Sequence, residues 1–257
     1  ANELDATTTG TVTAEIATDS TVVNLATLTG TNAYTITIAS GDATGSTASE
    51  LNAINEATSL AVDASAVTGL ALDEIININT LLTAGNDTTQ FTTDSFTLLG
   101  AVIVKDTLLS GSSLADAIDQ SNNATGSTST VFNIEAVETI TGSETDVSDL
   151  HSAKEVNQIS ITDQNLTIDS GTLSVENAII FDALTEGTVT ADIATDSTLT
   201  SLATLTGTNA FTIVINSGDA ITDALSLIAI KTTSSIGIDA SEVIKITGES
   251  SDITSLY

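Results

Sequence analysis

The segment Gly10–Ala43, GTVTAEIATDSTVVNLATLTGTNAYTITIASGDA, returns at Gly187–Ala220 as GTVTADIATDSTLTSLATLTGTNAFTIVINSGDA. The two copies are identical at 27 of 34 positions. Their differences are conservative, such as Tyr34 in the first copy and Phe211 in the second. A duplication of this length predicts a repeat protein, in which successive turns of the chain stack on one another. We therefore expect the two copies to share one backbone, with Tyr34 and Phe211 in equivalent places.

The similarity resumes beyond these segments after a slip of one residue. Ser59–Val67, SLAVDASAV, matches Ser235–Val243, SIGIDASEV. A shorter spacing lies inside the long one, because Gly10 is followed by Gly30 at the same interval that separates Gly187 from Gly207. This interval predicts a turn of about 20 residues, the size of a solenoid coil.

A run of aliphatic residues between 159 and 180 indicates the kind of turn. Aliphatic residues recur every seven positions at Ile159, Leu166, Leu173 and Ile180. Two positions after each of the first three there is a further aliphatic residue, namely Ile161, Ile168 and Val175. Apolar residues at i and i+2 predict a strand with one buried face, whereas a coiled coil needs spacings of three and four. The sequence thus predicts an all-β fold, a parallel β-solenoid (β-helix) with coils of about 20 residues. The residues expected to point inward are Ile159, Ile161, Leu166, Ile168, Leu173 and Val175.

The composition adds detail to this expectation. The chain has five Phe, two Tyr and no Trp, Met or Pro, so aliphatic residues must fill the core and strands can run uninterrupted. Ser49–Asn55 and Ser112–Gln120 are predicted as short helical turns that decorate a coil. Clusters of Gly, Asn, Asp and Ser at Ala84–Thr89 and Ser121–Ser129 predict longer loops. We expect one elongated domain over residues 1–257.

The charge is strongly one-sided, with 34 Asp and Glu against four Lys and no Arg, a formal net charge of −30. Such a chain cannot form a basic patch, which excludes binding to a nucleic-acid backbone and disfavours anionic membrane surfaces. No run approaches the roughly 20 apolar residues of a membrane helix, so no membrane insertion is expected. The absence of Cys excludes disulfides and thiol nucleophiles.

The residues offer little catalytic chemistry. The single histidine, His151, lies in a polar stretch, and no pair of carboxylates stands out among many, so we expect no enzyme, no cofactor and no catalytic residue. Calcium is the ligand best matched to the abundant carboxylates, and Asp42 and Asp219 in the matching SGDA turns are its candidate ligands. An ordinary turn role for an Asp after Gly is the alternative. Ice binding by a flat row of threonines is disfavoured, because the residue equivalent to Thr37 in the second copy is Val214.

Three sequence segments resemble a known family: STASELNAINEATSLAVDASAVTGL at Ser46–Leu70, ITGSETDVSDL at Ile140–Leu150 and LATLTGTNAYTI at Leu25–Ile36. They resemble repeats in very large cell-surface proteins of marine cyanobacteria, and similar repeats occur in phage fibre proteins. The resemblance implies an extracellular or cell-surface location and a structural or adhesive role. We therefore expect a structural protein of a filament, sheath or surface layer. The alternative is an adhesin or phage fibre segment that binds a cell-surface receptor through loops such as Ala84–Thr89.

The two terminal segments suggest a partner. Ala1–Gly10 enters repeat-like sequence within a few residues, and Ile246–Tyr257 resembles a motif that leads into further structure at Ile140. Solenoids that stand alone usually cover their terminal strands with a polar cap. Neither segment resembles such a cap, so we expect end-to-end self-association, promoted by salt that screens the acidic surface.

Overall fold

The protein is seen here in a computed structural model that describes residues 1–42, 44–125, 130–219 and 221–256. The helices in these residues are α1 (Asn2–Asp5), α2 (Val22–Leu25), α3 (Ala48–Glu56), α4 (Ile75–Gly85), α5 (Gly111–Thr125), α6 (Glu144–Glu155), α7 (Val175–Leu184), α8 (Leu199–Leu202), α9 (Ala224–Thr233) and α10 (Ser250–Ser255). The strands are β1 (Thr13–Glu15), β2 (Ala33–Thr35), β3 (Gly69–Asp73), β4 (Ala101–Val104), β5 (Leu108–Ser110), β6 (Val131–Asn133), β7 (Thr139–Ser143), β8 (Asn165–Ser170), β9 (Val189–Asp192), β10 (Ala210–Thr212), β11 (Ile221–Asp223) and β12 (Lys245–Thr247).

The fold is mixed α/β, 36% helical and 23% strand, with several short parallel sheets. The prediction of an all-β β-solenoid is therefore wrong. Helices α3 and α7 form where a short segment carries both a capping residue and apolar residues three positions apart. In α3, Thr47 accepts a hydrogen bond from the Glu50 N–H while the Glu50 carboxylate accepts one from the Thr47 N–H, which forms a capping box.

The predicted helical decorations are parts of the core. Leu51 and Ile54 of α3 are both 0% exposed, and the second predicted helical turn, Ser112–Gln120, lies inside the long helix α5. The loop predicted at Ala84–Thr89 begins with the last two residues of α4, and Ala84 is buried. Of the loop predicted at Ser121–Ser129, residues 121–125 are the end of α5, and residues 126–129 lie outside the described residues.

The aliphatic run between 159 and 180 is buried as predicted. The six residues expected to point inward, each at most 9% exposed, are Ile159, Ile161, Leu166, Ile168, Leu173 and Val175. The seven-residue strand period is wrong, however, because Ser174 caps helix α7 and Val175 is its first residue. Buried residues then continue at intervals of three, a helical spacing, at Ala178, Phe181 and Leu184.

The described residues group into two compact units. The first contains residues 1–109, 113–137 and 153–160. In it, β1 pairs with β2, and β3, β4 and β6 are adjacent in that order, all in parallel. Parallel bridges from Thr37 to Asp63 and from Val62 to Phe91 extend this pairing. Each strand thus lies beside a strand of the following turn, with helices such as α3 and α4 packed together beside them.

The second unit contains residues 110–112, 138–152 and 161–257. Its strands β7, β8, β9 and β10 are adjacent in that order, and β11 pairs with β12, again in parallel. The prediction of one elongated domain stays a prediction.

The turns vary in length, which contradicts the prediction of coils of about 20 residues. Thr13 pairs with Ala33 on the next turn, whereas Leu70 pairs with Val102, across a turn more than half as long again. The helices account for much of this spread, because α2 has four residues whereas α4, between β3 and β4, has eleven. A sequence period cannot be read across turns that carry helices of different lengths.

The duplicated segments pair in the same register, as predicted. Tyr34 lies opposite Ala14 in the first copy, and Phe211 lies opposite Ala191 in the second, so Tyr34 and Phe211 are equivalent. The one-residue slip also appears in the pairing, since the bridge from Thr37 to Asp63 corresponds to the bridge from Val214 to Asp239. Ala43 and Ala220, the last residues of the two copies, lie outside the described residues.

Replacing Tyr34 with Phe is expected to raise the free energy of unfolding by about 1 kcal/mol. Tyr34 is 0% exposed and its hydroxyl has no hydrogen-bond partner among the described residues. On folding, this hydroxyl therefore loses its hydrogen bonds to water and gains none in the protein. The matched control is Phe211→Tyr, which should destabilise the second copy by about 1 to 3 kcal/mol. Urea unfolding of the three proteins provides the measurement. A less stable Tyr34→Phe protein would contradict the prediction.

Candidate functional site

A duplicated polar cluster lies where each copy begins. In the first copy, the Asn32 amide oxygen accepts from the Val12 N–H at 2.9 Å, and the Asn32 amide nitrogen donates to Asp5 at 2.8 Å. In the second copy, Asn209 makes the same two bonds, to the Val189 N–H at 2.9 Å and to Asp182 at 2.7 Å. Asn32 and Asn209 are each 2% exposed, so these bonds satisfy groups that water cannot reach. The cluster joins adjacent turns.

A glycine beside each cluster has the same left-handed backbone. Gly30 has φ 72° and Gly207 has φ 71°, a conformation that glycine adopts at low cost. At Gly207 a side chain would also collide with the Asp182 carboxylate. The glycine spacing noted in the sequence therefore marks a turn packed against this carboxylate.

The candidate calcium ligands are helix caps. Asp42 accepts from the N–H of Val22, the first residue of α2, at 3.1 Å, and Asp219 accepts from the N–H of Leu199, the first residue of α8, at 3.0 Å. Each carboxylate thus reaches back to the helix of the preceding turn, where the N–H groups and the helix dipole favour a negative charge. Within the described residues, no three His, Cys, Asp or Glu side chains are placed to hold a metal ion.

Two further aspartates cap helices of the preceding turn in the same way. Asp106 accepts from the Ile75 N–H, at the start of α4, at 2.7 Å. Asp73 accepts from the Ser49 N–H of α3 at 2.7 Å, and also from the Glu74 N–H and the Asn77 amide, both at 2.8 Å. These four carboxylates, Asp42, Asp73, Asp106 and Asp219, therefore have a structural role.

The environment of Asp73 changes its acidity. Burial by itself raises the pKa of this carboxyl, but the hydrogen bonds from Asn77, Ser49 and Glu74 outweigh burial and hold the pKa below its ordinary value. Glu144 behaves alike: burial raises its pKa, and bonds from Asn177 at 2.7 Å and from Ser174 at 3.0 Å lower it further than burial raises it. Glu144 is held in the charged form by donors of the following turn, and Asp73 by Ser49 of the preceding turn together with Glu74 and Asn77, which follow it directly in the chain.

A groove lined mainly by polar residues lies between α3 and α4. It has a volume of about 460 Å³ and is lined by Asn52, Asn55, Glu56, Asn79, Thr80, Thr83, Ala84 and Gln90. Asn55 donates to the Gln90 side chain at 2.9 Å, and Asn52 donates to the Asn77 carbonyl at 2.9 Å. The amide oxygen of Asn79 is buried with no partner among the described residues. Glu56 is the one ionisable side chain in this lining, so the groove suits neutral hydroxyl-rich or amide-rich ligands rather than acid–base catalysis.

His151 and Lys105 do not line this groove. His151 is half-buried on α6. Lys105 forms an ion pair with Glu74 at 3.5 Å, in which both side chains are more than half exposed. Exposed pairs of this kind contribute little to stability. None of the helices in the described ranges is long and apolar enough to cross a membrane.

Comparisons with known proteins found no relative of this chain: no protein-family model, no curated protein and no solved structure matches it.

The sequence did not predict the groove between α3 and α4 or the helix caps that come from a neighbouring turn. The sequence did contain a pattern that could have indicated the caps. Asp42 lies 20 residues after Val22, and Asp219 lies 20 residues after Leu199.

Proposed function

We propose that this chain is a structural repeat protein of an extracellular filament, sheath or surface layer. The observation that carries the proposal is that the two copies use the same residues to bind turn to turn. The Asn–Asp cluster, the acidic cap and the buried aromatic position recur in both copies with the same partner atoms. A duplication that preserves stacking contacts in this way is typical of a protein whose role is its repeated structure.

The surface charge supports the same role. A net charge of −30 keeps a protein rich in Thr and Ser soluble and separate at low ionic strength, because like-charged chains repel each other. Salt shortens the range of this repulsion from about 30 Å at 0.01 M to about 3 Å at 1 M. The resemblance to surface-protein repeats supports an extracellular location.

Electron microscopy of the purified chain tests the proposal. We expect filaments or sheets at about 1 M salt and separate particles at about 0.01 M, because only the first condition screens the charge. Circular dichroism at both salt concentrations serves as the control for folding. Separate particles at both concentrations, with the fold intact, would contradict a structural assembly.

Receptor binding is the second candidate function, and the groove between α3 and α4 favours it. The side-chain amides of Asn52, Asn55 and Gln90 in its lining resemble the polar groups that orient a neutral ligand. The groove includes Ala84, at the start of the segment that the sequence suggested as a receptor loop. A chain that stays as separate particles but binds cells or neutral glycans through this groove would be an adhesin.

A further inference from the structure

The segment Asp163–Thr167, DQNLT, contains an acceptor motif for N-linked glycosylation. This motif is an Asn followed two positions later by Thr or Ser, with any residue except Pro between them. Here Asn165 is the acceptor and Thr167 provides the hydroxyl. Asp163 adds an acidic residue two positions before the acceptor, an extension that transferases of the bacterial type require. The three residues that the reaction uses are therefore spaced by two.

This spacing places the motif on an exposed side of the chain. Asn165 and Thr167 belong to β8, in which residues two positions apart share a face. Asp163 and Asn165 are exposed and Thr167 is half-buried, whereas Gln164 and Leu166 between them are 3% and 0% exposed. A glycan on Asn165 would extend into solvent, and the buried residues of this turn would keep their places.

The hydrogen bonds of the Asn165 amide are compatible with modification of its nitrogen. Its oxygen accepts from the Thr188 N–H at 3.0 Å, and a glycosylated amide retains this oxygen. Its nitrogen donates to the Glu138 carbonyl at 3.5 Å, which is longer than the usual N–H···O range of about 2.7 to 3.2 Å. Glycosylation would therefore leave the bond to Thr188 in place and replace at most this one long contact.

Two other segments, Asn86–Thr88 and Asn123–Thr125, have the same spacing of Asn and Thr. Neither has an acidic residue two positions before the Asn, because Ala84 and Ser121 lie there. The extended motif therefore distinguishes Asn165 from both of them before the chain folds.

The folded structure also disfavours these two positions. The Asn86 amide nitrogen donates to the Leu82 carbonyl at 3.1 Å and to the Gln120 side chain at 2.7 Å, so a glycan would replace a hydrogen that is already used. Asn123 lies in helix α5, where residues two positions apart do not face the same side. Among the three Asn residues, the position that combines the extended motif with a strand face is Asn165.

We propose that Asn165 is glycosylated on its side-chain nitrogen by a transferase that uses a lipid-linked oligosaccharide. A bond forms between the anomeric carbon of the oligosaccharide and Nδ2 of Asn165. The bond from that carbon to the pyrophosphate oxygen of the lipid carrier breaks, so the lipid pyrophosphate leaves, and the amide nitrogen loses one proton. The lipid-linked oligosaccharide is the co-substrate, and no oxidant or reductant is needed.

The position of β8 indicates when the reaction takes place. In the folded protein β8 lies between β7 and β9, so its backbone is paired on both sides. A transferase has to hold the acceptor segment in its own site, and the reaction therefore precedes this pairing, while the chain is exported. Export is part of the extracellular location in the proposed function, on which this inference rests.

Expression of the full chain with an added export signal tests the site, in bacteria that carry a bacterial-type transferase and its lipid-linked donor. Peptide mapping by mass spectrometry should find glycan on Asn165 and none on Asn86 or Asn123. Circular dichroism should show a folded chain whose midpoint of thermal unfolding is no lower than that of the unmodified chain. An unmodified Asn165, in cells that modify a separate acceptor protein, would overturn the site, and so would a glycosylated chain that does not fold.

Single substitutions identify the residues responsible. Asn165→Gln and Thr167→Val should abolish the modification, and Asp163→Asn should remove most of it. The control is Asp169→Asn, which removes an exposed carboxylate of the same strand outside the motif and should leave the modification unchanged. Glycan that persists in Asn165→Gln would contradict the acceptor, and equal modification of Asp163→Asn and Asp169→Asn would contradict the role of Asp163.

The protein from its natural source provides a second readout. Its peptide containing Asn165 should carry an oligosaccharide on that residue, and a fully unmodified Asn165 would overturn the proposal.

These outcomes separate the site from the proposed function. Filaments formed by a chain whose Asn165 is never modified would retain the structural role and overturn this site. A chain glycosylated on Asn165 that stays as separate particles at about 1 M salt would retain the site and contradict the filament.

Discussion

Replacing Ile213 with Ala is expected to lower the free energy of unfolding by about 2 to 4 kcal/mol. Ile213 is 0% exposed and lies between Phe211 and Ile215, which are also 0% exposed. Removing its outer carbons loses the transfer free energy of those carbons and leaves a cavity that adjacent turns cannot close, because the parallel ladder sets their spacing. Urea unfolding followed by circular dichroism measures the change.

The first copy provides a replicate of this experiment. Ile36 occupies the equivalent position and is 1% exposed, so Ile36→Ala should cost a similar amount. Ile76, at 63% exposed on α4, is the control, and Ile76→Ala should change stability by less than about 0.5 kcal/mol. A change near zero at both Ile36 and Ile213 would show that the duplicated interior is not packed as described.

Replacing Asp73 with Asn is expected to cost about 2 to 3 kcal/mol near pH 7. The two oxygens of Asp73 accept three hydrogen bonds, from Ser49, Glu74 and Asn77. Asn has one acceptor oxygen, and its NH2 group would face at least one of these donors. A buried donor left unpaired, together with the loss of the charge near the start of α3, accounts for the expected cost.

This cost should depend on pH. The folded pKa of Asp73 lies below its ordinary value, so its contribution to stability is complete above the pKa of the unfolded chain, about 3.9, and is lost as pH falls through the folded pKa. The stability difference between wild type and Asp73→Asn should therefore shrink below about pH 4. Comparing the two proteins cancels the general effect of neutralising the other carboxyls. A difference that stays constant between about pH 7 and about pH 3 would contradict the assigned hydrogen bonds.

The positions of the helices could not be predicted from the local sequence alone. Val175 is an aliphatic residue two positions after Leu173, which is equally consistent with a strand, and Ile180 completes a spacing of seven. What favours the helix is the Ser174 cap together with Phe181, which is 0% exposed and packs in the core. Many Thr, Val and Ile residues favour strands as isolated residues, but packing against the next turn overrides that preference here.

The hydrogen-bond partners in the candidate site likewise could not be predicted from the local sequence. The sequence singled out Asp42 and Asp219 correctly as residues of matching turns, but their partners, the N–H groups of Val22 and Leu199, belong to other turns. The groove between α3 and α4 likewise joins residues of two turns, such as Asn55 and Gln90. Cross-turn partners cannot be found from a fixed period when the length of a turn changes from one strand pair to the next.

The sequence by itself determined the duplication, the equivalence of Tyr34 and Phe211, and the burial of the aliphatic run from Ile159 to Val175, because these depend on identity and on the alternation of apolar residues. Only the tertiary structure decided which segments become helices and which carboxylates cap them. The clearest example is α3, which the sequence predicted as a decoration but whose Leu51 and Ile54 are both 0% exposed. The physical reason is that burial belongs to a pair of turns: a side chain is covered only when a neighbouring turn lies on it.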